Sequence, residues 1–195
     1  MITVPMALMD FVPVILFIVS AVVLQRGLYD RMSKGAFALF ASGTIMIITA
    51  GFFKATWKLL LALEICDFDR LNQCFFPMQS VGFLLTGIAL MGMVFAKQNE
   101  LPAVAVFSGT FVFVSVMILG LIGMCTGLSV ESKRKGKPLA MILFIVSSLF
   151  MLMMGYLSSK DFDKASMNWI AQGVNAVGQL LFLMGSLMLC KKQKA

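Results

Sequence analysis

Hydrophobic residues run in six long blocks, near residues 4–25, 36–53, 74–96, 101–128, 138–157 and 168–190, with short polar loops between them. A helix rises ~1.5 Å per residue, so about 20 apolar residues cross the ~30 Å hydrocarbon core of a bilayer. The blocks meet or approach that length. They lack the short alternating segments of a transmembrane β-barrel. The pattern predicts an all-α integral membrane protein: one polytopic domain over residues 1–195, with six transmembrane helices. The first positive charge, Arg26, follows the first block rather than preceding it. That block therefore reads as a retained helix and not as a secretory signal.

The polar positions inside the blocks repeat. Asn72, Gln79 and Gly82 of the third helix match Asn168, Asn175 and Gly178 of the sixth, each pair 96 residues apart. Similar tetrads precede them, Asp67-Phe68-Asp69-Arg70 and Asp161-Phe162-Asp163-Lys164, and Lys34-Gly35 opens the second helix much as Lys135-Gly136 opens the fifth. This symmetry predicts a duplicated three-helix unit with halves 1–97 and 98–195. Three crossings are odd in number, so alternating helices would make it a 3+3 inverted repeat, with a ligand site near the midplane where the halves meet.

On the sixth helix, Asn168, Gln172, Asn175 and Gln179 share one face; on the third, Asn72 and Gln79 do. Unpaired amides are costly in hydrocarbon, so these faces should turn inward. They are either interhelical hydrogen-bonding groups or the lining of a groove for a small polar ligand. The groove reading gives a small-molecule transporter, or a substrate-binding membrane subunit that works with a partner subunit or as a homo-oligomer. The other reading gives a non-enzymatic sensor, assembly factor or scaffold. A membrane-embedded, lipid-acting enzyme would need an ionisable pair, and Lys58 with Glu64 or Asp67 is the local candidate.

The second helix plus Lys54–Leu60 is too long to cross perpendicular to the membrane. It is expected to bend after Phe53 and run along the interface, with Trp57 at headgroup level and Lys54 and Lys58 snorkelling outward. The alternative moves the span to residues 43–66 and buries a charged cluster of Lys54, Lys58, Glu64 and Asp67.

Composition narrows the chemistry. The chain is 60% hydrophobic, against about 45–50% in soluble domains. It has no histidine, which removes the commonest general base and metal ligand. Among the four cysteines, Cys66, Cys74, Cys125 and Cys190, there is no CxxC pair. No metal, cofactor or catalytic motif is predicted. The net charge of +7 sits in loop clusters such as Lys133–Lys137 and Lys191–Lys194; these suit anionic lipid headgroups and not nucleic acid. With alternating helices, the positive-inside bias puts Lys54, Lys58, Arg70 and both clusters in the cytoplasm. Arg26, Arg31, Lys34, Lys97, Lys160 and Lys164 then lie outside. Both termini would be cytoplasmic, in an inner or plasma membrane, and the Cys66–Cys74 loop would be reduced.

Overall fold

The computed structural model describes residues 3–95, 110–157 and 165–191. The second tetrad of the repeat, Lys97, Lys160, the start of the fourth apolar block and the tail from Lys192 lie outside the described residues. Within them the chain is all-helical: α1 (Val4–Met9), α2 (Phe11–Leu28), α3 (Lys34–Ala62), α4 (Asp69–Gln73), α5 (Phe75–Phe95), α6 (Thr110–Arg134), α7 (Pro138–Leu157) and α8 (Ala165–Cys190). Among the described residues, five segments are long and apolar enough to cross a membrane: Val4–Arg31, Lys34–Ala62, Asp69–Phe95, Val114–Arg134 and Ser166–Cys190. In α7 the apolar stretch Pro138–Met154 is shorter. These helices fit a multi-pass helical membrane protein.

Two prolines set two breaks by the same rule. Proline has no N–H to give the carbonyl four residues back, and its ring crowds that carbonyl. Four residues before Pro13 is Met9, where α1 ends; four before Pro77 is Gln73, where α4 ends. The first break leaves Asp10 at a corner between α1 and α2. By contrast, α3 is continuous through Phe53 over 29 residues, so no break in the helix occurs where the bend was expected. Ser33 caps its start by accepting from the Ala36 N–H at 3.2 Å. Its end is wrapped by Ile65 N–H donating to Leu60 O and Glu64 N–H to Leu61 O, which puts Glu64 in the left-handed region at φ 56°. The same wrap ends α6 at Gly136, φ 65°, and turns the chain directly into α7.

Six helices close into a ring: α2 packs on α3, α3 on α5, α5 on α6, α6 on α7, α7 on α8, and α8 on α2. Their directions follow from which residues meet. Val14 in α2 faces Gly51 in α3, and Gln25 Nε2 donates to Thr44 Oγ1 at 2.9 Å, so that pair is antiparallel. Gly43 meets Gly82 and Thr86 while Lys54 covers the Phe75 ring, so α3 and α5 are antiparallel too. In α7 and α8, Phe144 meets Gly185 and Phe150 meets Gly178, again antiparallel. The two remaining seams differ. Between α5 and α6, a methyl placed on Gly87 would sit 2.6 Å from the Gly120 carbonyl oxygen, and one on Gly127 2.8 Å from Leu90 Cβ; the pair is parallel. Between the first and last helices, Gln172 meets Met6, Phe17 stacks on Phe182 at 5.8 Å, and Gly27 abuts Cys190. These helices are also parallel.

Both triplets, α2-α3-α5 and α6-α7-α8, therefore run in the same sense. This corrects the inverted repeat, which requires α5 against α6 and α2 against α8 to be antiparallel. It also corrects the shared side for the two termini: Val4 and Cys190 lie at opposite ends of the bundle. Small residues let the α5 and α6 backbones touch, and such a seam tolerates either direction. An apolar pattern carries no information about which one the chain adopts.

The Cys190 end is packed shut. Leu28, Phe40, Leu128 and Phe144 are fully buried there. Glu131, also buried, receives the Arg31 guanidinium and lies 3.6 Å from Lys135 Nζ. Burial, with Arg31 nearby, lowers the Lys135 pKa below its usual range. Lys137 Nζ donates to Leu189 O at 3.1 Å, placing a cation at the negative C-terminal end of α8.

Candidate functional site

Toward the Asp10 end the ring encloses a cavity of about 720 Å³. Each of the six ring helices contributes to its wall, for example through Phe17, Ile47, Gln79, Leu121, Met151 and Asn175. Ligand pockets typically run to about 300–1,000 Å³ and are mostly apolar with a few placed polar groups. This one fits that description.

Of the six amides singled out by sequence, Asn72, Gln79, Asn168, Asn175 and Gln179 line the cavity. Gln172 does not. It is buried, and its Nε2 donates to the Met6 carbonyl at 2.8 Å. It ties α8 to α1, an interhelical bond of the ordinary kind. Asn72 Nδ2 donates to Asp69 Oδ1 at 3.3 Å, inside α4 rather than capping a helix start. Asn168 lies in the first turns of α8 and is buried. Gln179 Oε1 is buried with no hydrogen-bond donor among the described residues.

The charged cluster is rearranged. Lys54 and Lys58 both line the cavity, whereas Glu64 and Asp67 are exposed and outside it. Asp67 accepts from Trp57 Nε1 at 2.9 Å. The partner of Lys58 is Asp10, with Nζ 2.5 Å from Oδ2 and side chains only 12% and 16% exposed. The contact is a close ion pair, although its angles do not satisfy hydrogen-bond geometry. Among the described residues, Lys54 has no carboxylate within 4.0 Å. Its ammonium lies 4.1 Å from the Phe75 ring centroid and 5.9 Å from that of Phe76, an arrangement in which the ring faces attract the cation.

No family model, curated protein or solved structure matches this chain.

The site must therefore be read from its own chemistry. It combines amides on α4, α5 and α8, one ion pair between the α1–α2 corner and α3, and one ammonium resting on an aromatic ring. Sequence reasoning missed Asp10. The signal was present: an acidic residue alone inside an apolar block is functional or paired by default, and Asp10 lies within block 4–25.

Proposed function

We propose that this protein is a membrane carrier, or the ligand-binding membrane subunit of an uptake system, whose small polar ligand sits in the cavity between α5 and α8. The observation that carries this reading is a 720 Å³ cavity inside a helix ring, polar toward the Asp10 end and shut at the Cys190 end. A scaffold would fill that space with side chains.

The six ring helices, with α7 included as a span, form two like-sensed halves related by an axis along the membrane normal. Parallel repeats of this type are a known carrier design. Three features support it. The third helix of each half packs on the first helix of the other, α5 on α6 and α8 on α2. Gly82 meets α3 as Gly178 meets α7. The matched amides, Asn72 with Asn168 and Gln79 with Asn175, all reach the one cavity.

The observed helix directions also strengthen the charge asymmetry. Among the described residues, Arg26, Arg31, Lys34, Lys133, Arg134, Lys135, Lys137 and Lys191 gather at the Cys190 end, against Lys54, Lys58 and Arg70 toward the other. The positive-inside bias makes the Cys190 end cytoplasmic, facing anionic headgroups. The cavity then faces the opposite compartment, as do Cys66 and Cys74.

The test is thiol accessibility from that compartment in native membranes, with single cysteines in a cysteine-free background. Positions 175 and 179 should react with a membrane-impermeant reagent. Positions 170 and 177, on the outer surface of α8, should not, and neither should 172. Silence at 175 and 179 would mean a dry seam and would favour the scaffold.

A further inference from the structure

Among the described residues, three charged side chains line the cavity: Asp10, Lys54 and Lys58. Asp10 and Lys58 neutralise each other at 2.5 Å. Lys54 is left over. Its aromatic contact orients the ammonium without neutralising it, and its N–H groups make no hydrogen bond among the described residues. An ammonium offers three donors and no acceptor. Asp67, which accepts from the lining residue Trp57, is exposed, so solvent screens it. The other polar side chains of the described wall are neutral amides and the Trp57 indole. The described wall therefore carries a surplus positive charge in a low-dielectric setting, where Coulomb forces act strongly.

We infer that the cavity selects a water-soluble small organic anion, with Lys54 as its charge partner and the Asp10–Lys58 pair holding the second cation out of play. This rests on the carrier reading and names the ligand class that reading leaves open. A cationic ligand would meet repulsion from Lys54 and an Asp10 already occupied. The phenyl rings of Phe75 and Phe76 beside the ammonium provide an apolar seat for the body of the ligand.

The probes are two small thiol reagents of opposite charge, the anionic sulfonatoethyl and the cationic trimethylammonioethyl methanethiosulfonates. The target is Asn175→Cys as the sole cysteine, and the reference is a chain retaining only the exposed Cys66. The ratio of anionic to cationic labelling rates at 175, divided by that at Cys66, should exceed one by about tenfold, the size expected for one nearby unit charge. Lys54→Met should abolish that preference, and Lys54→Arg should keep it. If Lys54→Met does not fold, Lys54→Gln serves in its place. A ratio near or below one, or a preference that survives loss of the lysine charge, would overturn the inference while leaving a wet cavity. Labelling of Cys66 with none at 175 by either reagent would overturn the carrier reading itself, and the inference with it.

Discussion

Removing the carboxylate of Asp10 should destabilise the protein through Lys58. Asp10→Asn keeps the shape and leaves the ammonium without its partner. Exposed ion pairs contribute about 0–1 kcal/mol, whereas breaking a buried one costs about 3–5 kcal/mol. Lys58 and Asp10 are 12% and 16% exposed, nearer the buried limit. They border a cavity roomy enough for water, so a loss of about 2–3 kcal/mol is expected. For a chain of 150–250 residues each kcal/mol moves the midpoint by roughly 2–4 °C, giving a fall of about 5–10 °C. The assay is thermal unfolding in detergent for Asp10→Asn, Lys58→Met and the double variant. Once both charges are gone no uncompensated ion remains, so the double variant should recover most of the loss. The coupling should be about 2 kcal/mol. A midpoint for Asp10→Asn within 1 °C of the parent, or a double variant that loses the sum of the singles, would refute the pairing.

Other outcomes follow from particular contacts. Gly120→Ala drives a methyl to 2.5 Å from the Leu84 nitrogen and should cost about 1–3 kcal/mol or more in overpacking. Gly173→Ala meets nothing within 4 Å and should be neutral or gain up to about 1 kcal/mol; equal midpoints for the two would discredit the tight α5–α6 seam. Gln172→Leu frees the Met6 carbonyl and should lower stability by about 1–3 kcal/mol. It should leave reagent selectivity at position 175 untouched, and altered selectivity would return Gln172 to the cavity. Glu131→Gln removes the anion holding Arg31 near Lys135 and should loosen the closed end, raising thiol labelling of native Cys190 severalfold. Unchanged labelling would show that apolar packing alone seals it.

Much of the site was legible because buried amides are informative. Their spacing put Asn168, Asn175 and Gln179 on one face, and the matched Asn72 and Gln79 marked an opposing segment, although the structure divides the expected third helix into α4, with Asn72, and α5, with Gln79. Gln172 shares that face, yet the break at Asp10 brings the Met6 carbonyl within its reach. The partner of Lys58 was harder to see. Glu64 and Asp67 are close in sequence, but the wrapped end of α3 turns them outward, and the acid that arrives comes from 48 positions earlier in the chain. Helix direction was not legible at all. Hydropathy gives the same profile for a helix read either way, and the glycines of the α5–α6 seam permit both senses. The side assignment of the loops inherited that ambiguity.

Parallel packing of α2 and α8 is the feature on which the ring, the like-sensed halves and the one-ended cavity all depend. It can be tested with a cross-link between Gly27→Cys and native Cys190, in a chain lacking Cys66, Cys74 and Cys125. A β-carbon at position 27 would lie 2.7 Å from Cys190 Cβ, so a small adjustment brings the pair to disulfide spacing. Mild oxidation in native membranes should close an intramolecular bridge, seen as a mass loss of about two hydrogens and a reducible mobility shift. With antiparallel outer helices the two positions would be separated by the ~30 Å hydrocarbon core. No bridge, with the two thiols labelled from opposite sides of the membrane, would contradict the account.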